Sequence, residues 1–353
     1  MWIHTPVFYE DMEAISSADF IPWERLVNKT FFITGGTGLI GSTPISALLY
    51  ASQKKKLNIK IIALVRDLPK AKEKFAEQLR ETRGLSFVQG SVETLPRIDA
   101  PIDYIIHGAS QTASKAFVEQ PVETIQTAIY GTNNVLRLAQ KKQVQSFVYL
   151  SSMEVYGHPE RGHKVTEDEI GALSPLDVRN SYPLSKILCE SLCCAYAKEY
   201  NVPATILRLT QTFGPGVQEN DKRIFAEFGR CIKEKRDIVL KTKGETERSY
   251  LYTADAVTAI LCVLLKGNPG QAYNAANEKT YCSINEMAYM LAEKYYIPVC
   301  YNLQKGSING YSDVLYINLS IRKLKELGWN INAIQDEKGA LLRMYERMIE
   351  TSV

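Results

Sequence analysis

The sequence predicts an α/β chain, a doubly wound parallel sheet followed by a smaller C-terminal lobe. Three observations predict it. Short apolar runs alternate with helical stretches through the first two hundred residues or so, a glycine-rich turn joins the first run to the first helix, and the alternation loosens after about residue 210.

Taken in order, residues 1–27 form an N-terminal extension. The first run, TFFIT at 30–34, ends in GGTGLIG and the helix-like ISALLYAS. A second run at 59–65 ends in Arg66-Asp67 and leads to the charged helical stretch PKAKEKFAEQLRE. Leu85 to Val88, Tyr104 to Ile106 and Phe147 to Leu150 are three more runs of strand length. Pro44 falls inside the helix after the glycine turn, where it removes a backbone donor and predicts a local distortion.

Composition excludes several classes. With 45% hydrophobic and 23% charged residues and a net charge of +3, nothing points to nucleic acid or an anionic membrane. No apolar run reaches the length of a membrane span, and MWIHTPVFYEDMEAISS lacks the basic start and continuous apolar stretch of a secretory signal. Seven scattered cysteines without a CxxC pair, and four histidines without ligand spacing, predict reduced thiols in a cytoplasm and no metal.

Gly35, Gly38 and Gly41 are spaced GxxGxxG between a strand and a helix. A tight turn there needs a residue tolerant of positive φ, and a bare backbone lets a pyrophosphate approach. The helix start, at Leu39 and Ile40 after Thr37, then offers N–H donors and a positive dipole end. This predicts a Rossmann-type dinucleotide site. At the end of the second run Arg66 suits a 2′-phosphate, hence NADP, whereas Asp67 suits a free ribose, hence NAD. Both remain open. We place the dinucleotide-binding domain at 28–206, with a return segment near 249–265, and a mainly substrate-binding lobe at 207–353.

In SYPLSK, Tyr182 stands four residues before Lys186, so a helix puts both on one face. A nearby ammonium stabilises a phenolate and turns a phenol into a usable base. The same spacing recurs at Tyr50–Lys54 and Tyr301–Lys305. Only Tyr182 follows a strand whose carboxyl end offers a hydroxyl, Ser152, able to hydrogen-bond the oxygen that the phenolate deprotonates.

With these pieces in order, the chain resembles the extended short-chain dehydrogenase/reductases, the NAD-dependent epimerase/dehydratases that act on nucleotide sugars. The likeness runs from about Asn28 to the C-terminus through TGGTGLIG, IIHGAS, IYGTNNVL, SSMEVYG, SYPLSK, ILRLTQTFGPG, ERSYLYTADAV, AYNAAN and KELGW. The resemblance implies that Ser152, Tyr182 and Lys186 are catalytic and that Gly108, Ala109 and Ser110 line the cofactor. It also implies that Arg248 grips the nucleotide diphosphate, with an ion pair to Glu245 or Glu247 as the bland alternative, and that Gln211 replaces a common Asn near the substrate.

The resemblance also implies a shared opening step, removal of a sugar hydroxyl proton with hydride loss to give a 4-keto sugar. Branches differ in what else they need. One dehydratase branch carries an Asp-Glu pair where this chain has Met153 and Glu154, so half of that pair is gone. UDP-glucuronate decarboxylases keep a lone Glu at Glu154 and an Arg three residues before the tyrosine, which is Arg179 here. We therefore expect Glu154 to position the sugar or handle a proton at C5, in a lyase of the decarboxylase type. Ser152 stands where decarboxylases usually have Thr, Ser91 where an Asp is common, and Ala128 where many relatives have Asn. A 4,6-dehydratase, a 4-epimerase, an NADPH-dependent keto-sugar reductase and a non-catalytic dinucleotide sensor are the alternatives. The family's products usually serve surface polysaccharide synthesis. The helix ILCESLCCAYAKEY carries Leu188, Leu192 and Tyr196 on one stripe, and the family's habit of pairing this helix predicts a homodimer.

Overall fold

In the computed structural model, which describes residues 5–112, 114–303, 314–331, 333 and 339–351, the alternation of runs becomes an open parallel sheet. Lys305, second member of the Tyr301 pairing, and the first four residues of the N-terminal extension lie outside the described residues. The first half comprises α1 (Pro6–Ser16), β1 (Thr30–Thr34), α2 (Leu39–Lys55), β2 (Lys60–Val65), α3 (Leu68–Lys74), α4 (Ala76–Glu81), β3 (Leu85–Gln89) and β4 (Tyr104–His107). Then come α5 (Ser114–Glu119), α6 (Pro121–Lys142), β5 (Ser146–Ser152), β6 (Lys164–Val165), α7 (Ser181–Tyr200) and β7 (Ala204–Leu209). The remainder is β8 (Gln211–Phe213), α8 (Ile224–Glu234), β9 (Ile238–Leu240), β10 (Glu247–Tyr252), α9 (Thr253–Lys266), β11 (Ala272–Ala275) and β12 (Asn277–Ser283). It closes with α10 (Ile284–Tyr295), β13 (Val299–Tyr301), β14 (Tyr316–Leu319), α11 (Arg322–Glu326) and α12 (Ala340–Thr351).

Seven parallel strands form the central sheet in the order β11-β7-β5-β4-β1-β2-β3. Both faces are covered, which explains why the strands read as continuous apolar runs. Phe31 and Ile33 pack with Ile45, Leu48 and Val257 on one side, while Phe32 packs with Ile105, Val135 and Phe147 on the other. The strand order reverses between β2 and β4 on either side of β1, so the crevice at the carboxyl ends of β1 and β4 is where such sheets bind ligands.

A second sheet, β12-β10-β14-β6 with β8 beside β10, builds the lobe. The segment expected near 249–265 spans the end of β10 and most of α9. Residues up to Tyr252 belong to β10 of the second sheet, α9 packs against α2 and the central sheet, and β11 at 272–275 is the strand that re-enters it beside β7. The Gly267–Gly270 turn, with Gly270 at φ +76°, supplies the reversal that lets β11 run parallel to β7.

Pro44 does not distort the chain into a break, and α2 runs through it from Leu39 to Lys55. Residues 41–49 of this helix are all buried, so packing on the sheet outweighs one lost backbone bond. The stretch expected as one helix after Arg66 divides into α3 and α4 at Phe75, whose buried ring packs 5.9 Å from that of Phe87. In the N-terminal segment, α1 lies against α2 and α9. Glu13 accepts from Tyr50 Oη at 3.2 Å and pairs with Lys54, so this Tyr–Lys pair is a structural tie. Asp11 joins Arg347 (2.5 Å) and Tyr252 (2.7 Å) in a buried cluster that fastens α1 to α12 and β10. Among the described residues no helix is long and apolar enough to cross a membrane.

Candidate active site

β5 runs two residues past its apolar part, so Ser151 and Ser152 are strand residues and Glu154 lies on the 3₁₀ turn Met153–Tyr156 just beyond. Ser152 caps that turn, its Oγ accepting from the Glu154 N–H at 3.2 Å. Opposite, the short turn Val178–Asn180, capped by Asp177, feeds directly into α7 and brings Arg179, Tyr182 and Lys186 to the same place. Five of the residues singled out in the sequence thus converge at the carboxyl end of β5.

Their order is layered. The Tyr182 ring stacks on Phe117 with centroids 4.3 Å apart and planes 5° from parallel, and the Arg179 guanidinium covers Phe117 at 5.1 Å. Ser181 Oγ donates to the Phe117 carbonyl at 2.9 Å, locking α5 onto α7. Both Nη atoms of Arg179 lie 3.3 Å from Glu154 Oε2, while its buried Nε has no partner among the described residues.

Tyr182 is 8% exposed. Burial raises its phenol well above the ordinary value and the Glu154 charge adds to this, while a hydrogen bond with Ser152 and the charges of Arg179 and Arg223 act in the opposite sense. Lys186, 3% exposed, donates to the Leu150 carbonyl at 2.8 Å and sits 5.7 Å from the Tyr182 ring. Burial pushes its ammonium down to about 8. Beneath them His107 bridges Thr34 (2.7 Å) and Thr132 (3.1 Å), and burial, then the Lys186 charge, pushes its imidazole down to about 3.

The glycine loop meets the steric demands of a bound dinucleotide. Gly35 has φ +73°, and a Cβ there would sit 2.8 Å from the Gly108 backbone; at Gly41 it would sit 2.1 Å from the Gly35 oxygen. Gly38 caps α2 with no side-chain hydrogen bond, which leaves the first N–H groups at Leu39, Ile40 and Gly41 without a side-chain competitor for a pyrophosphate. Gly108 donates its N–H to the Thr34 carbonyl (3.3 Å), Ala109 donates to Thr34 Oγ1 (3.1 Å), and Ser110 turns to the Gln111 carbonyl (3.3 Å). Arg66 is exposed at the end of β2, and Asp67 caps α3 by accepting from the Lys70 N–H at 3.0 Å.

Gln211 and Arg248 lie in the second sheet, with Gln211 in register with Tyr250. No hydrogen bond or ion pair among the described residues joins either to the Tyr182 cluster. Arg248 does not pair with Glu247, which faces the other way to Arg161 (2.6 Å) and Tyr281 (2.9 Å). Its Nε is buried without a partner among the described residues. Strand alternation separates the two neighbours.

The NAD dependent epimerase/dehydratase family matches residues 31–276, most of the chain, from the first strand of the sheet to the last. The chain belongs to that family. It is similar to the human dTDP-D-glucose 4,6-dehydratase, 29% identical over 251 residues that cover 70% of this chain and 68% of that one. It is also similar to the UDP-N-acetyl-alpha-D-glucosaminuronate decarboxylase of Bacillus cytotoxicus, 26% identical over 312 residues covering 85% and 92%. Among solved structures, a dTDP-glucose 4,6-dehydratase of Streptomyces venezuelae superposes with a TM-score of 0.73 over 90% of this chain and 96% of that one, at 22% identity, a likeness of fold.

For a member of the NAD dependent epimerase/dehydratase family, the site also contains groups that the sequence reading missed. Phe117, Arg223 and Lys74 carry no motif signal, and His107 lies inside IIHGAS without a role that the motif assigns to it. They come from four different elements or loops, and only the fold brings them to the glycine loop and Tyr182.

Proposed function

We propose that the protein is a nucleotide-sugar decarboxylase that works through a transient 4-keto sugar. The observation that carries this reading is the Glu154–Arg179 pair beside Tyr182, together with what replaces a dehydratase's second acid. Met153 is buried and its sulfur accepts from Thr210 Oγ1 at 3.4 Å, so no proton donor for a leaving C6 hydroxyl stands there.

Tyr182, as phenolate, takes the proton of the sugar C4 hydroxyl, and Ser152 hydrogen-bonds the same oxygen. Lys186 holds the phenolate by its charge. A nicotinamide dinucleotide held by the Gly35, Gly38 and Gly41 loop and the start of α2 would supply the reversible hydride chemistry at C4. With C4 a ketone, a carboxylate on C5 is a β-keto acid. The C5–C6 bond breaks, its electron pair moves into the C4 carbonyl, and carbon dioxide leaves. A proton then returns to C5. Glu154 is the group for that proton, and the Arg179 fork suits the departing carboxylate. Arg248, whose Nε has no partner among the described residues, binds the diphosphate.

A 4,6-dehydratase is the second reading, supported by the 29% identity to the human enzyme of that name. It requires an acid that Met153 does not supply. Exposed Leu188 (46%), Val118 (40%) and Val122 (56%) on α7, α5 and α6 support pairing of two copies in a homodimer. Solution mass tests it, since monomer alone overturns it. Leu192 and Tyr196 of the same stripe are partly covered, Tyr196 Oη donating to Asn133 at 2.8 Å. Seven cysteines, none bonded to another, support a reducing cytoplasm.

The test of the reaction is mass spectrometry of products from a panel of nucleotide sugars, uronates and hexoses side by side. Carbon dioxide loss from a uronate upholds the reading. Water loss from a hexose would replace it with the dehydratase, and an altered retention time at unchanged mass with an epimerase.

A further inference from the structure

Helix α3 carries three lysines, and one of them is placed unlike the others. Lys70 and Lys72 are exposed, whereas Lys74 is half-buried and donates from Nζ to the Thr37 carbonyl of the glycine loop at 2.9 Å. Burial pushes this ammonium down to about 8, and the charge that acts on it is a like one, that of Lys70. An ammonium thus partly withdrawn from water gains from an anion that completes its hydrogen bonds. Among the described residues its other two N–H donors meet no hydrogen-bond acceptor.

The surroundings point to what that anion is. Thr37 lies in the turn that receives the dinucleotide, and β2, the neighbouring strand, ends at Arg66 with its guanidinium exposed. Asp67, the acid that would otherwise take the ribose hydroxyls, is turned to the start of α3, where it accepts from the Lys70 N–H. The corner of the site next to the adenosine ribose therefore presents Lys74 and Arg66, the latter within reach of the Glu93 charge, while Asp67 is already engaged as a helix cap.

We infer that Lys74, together with Arg66, binds a phosphate on the 2′ oxygen of the adenosine ribose, so that the chain selects NADP over NAD. The inference rests on the glycine loop being the dinucleotide site. Lys74 has two tasks in it. It fixes the Thr37 turn, and it presents a charge that only the phosphorylated ribose can use.

The test is titration calorimetry of the full chain with NADPH and NADH, and with the fragments adenosine 2′,5′-bisphosphate and adenosine 5′-monophosphate. NADPH should bind about 10–100-fold more tightly than NADH, and the bisphosphate should lead the monophosphate in the same sense. Lys74→Met should cut that preference by about tenfold, chiefly by weakening NADPH. Arg66→Gln, on an exposed side chain that packing does not need, should cut it too. Equal affinity for NADPH and NADH overturns the inference, as does a Lys74→Met variant that weakens both alike, which would leave Lys74 as a prop for the loop. If the wild-type chain binds neither dinucleotide, the reading of the glycine loop fails as well, a result distinct from binding NADH without preference.

Discussion

Arg179 holds Glu154 with both Nη atoms, each 3.3 Å from the same carboxylate oxygen, although the two residues come from different turns 25 residues apart in the chain. The Arg179 guanidinium also lies 5.1 Å from the centre of the Phe117 ring, which stacks on Tyr182. The carboxylate is thereby tied to the phenol through a rigid stack rather than left to solvent at a strand end. A cap facing water would have neither the guanidinium nor the stack.

Glu154→Gln should therefore lower kcat on the uronate by about 10²–10³ while KM moves only a few-fold, because the amide keeps the shape and loses the proton. Steady-state kinetics on the preferred substrate checks this. A rate unchanged within error would return Glu154 to a merely structural role.

The Tyr182–Lys186 pair sets a pH dependence. Burial keeps the phenol high and the ammonium near 8, so the pair's first proton leaves near 8. The reactive form is the singly deprotonated pair, phenolate with ammonium, which is a fixed fraction of the pair once that proton has left. We expect kcat/KM to rise with pH up to about 8 and then level off, and Lys186→Met to move the rise to higher pH with a large loss of rate. Tyr182→Phe should abolish turnover and leave nucleotide binding intact. A pH profile that falls toward 8 would contradict the assignment.

Arg248 has a buried Nε with no partner among the described residues, and its neighbour Glu247 is taken up by Arg161 and Tyr281. Arg248→Met should raise KM for the nucleotide sugar about 10–100-fold and leave dinucleotide affinity unchanged. Loss of dinucleotide affinity instead would move Arg248 out of the substrate site.

His107 makes the fold acid-sensitive. Its imidazole titrates near 3 in the folded protein and near its ordinary value when unfolded, so the unfolded chain binds one more proton between those limits. Its contribution is fully present above about 6.5 and is lost as pH falls through that window toward 3, at about 1.4 kcal/mol per pH unit. His107→Gln, which still offers polar atoms to Thr34 and Thr132, should remove that slope from the difference between variant and wild-type unfolding curves. Parallel curves from pH 4 to 6 would contradict it.

The local features were legible in the sequence because each is written in a few consecutive residues. The glycine spacing, the apolar runs of β1 to β5 and the Tyr182–Lys186 step all belong to this kind. What escaped is long-range. Phe117 meets Tyr182 only after α5 folds onto α7, and Lys74 meets Thr37 only after α3 turns back from β2. Pro44 shows packing outweighing a local cost. It removes one backbone donor, yet the buried helix face on the sheet keeps α2 continuous. The re-entry at β11 gave no signal beyond AYNA, too short a run to assign to one sheet or the other.

The most direct test of the central claim is release of labelled carbon dioxide from a nucleotide sugar uronate carrying the label at its carboxyl carbon. We predict release by the wild-type protein without net reduction of added dinucleotide, and none by Tyr182→Phe. No release from any uronate, with water loss or inversion from hexose substrates under the same conditions, would contradict it.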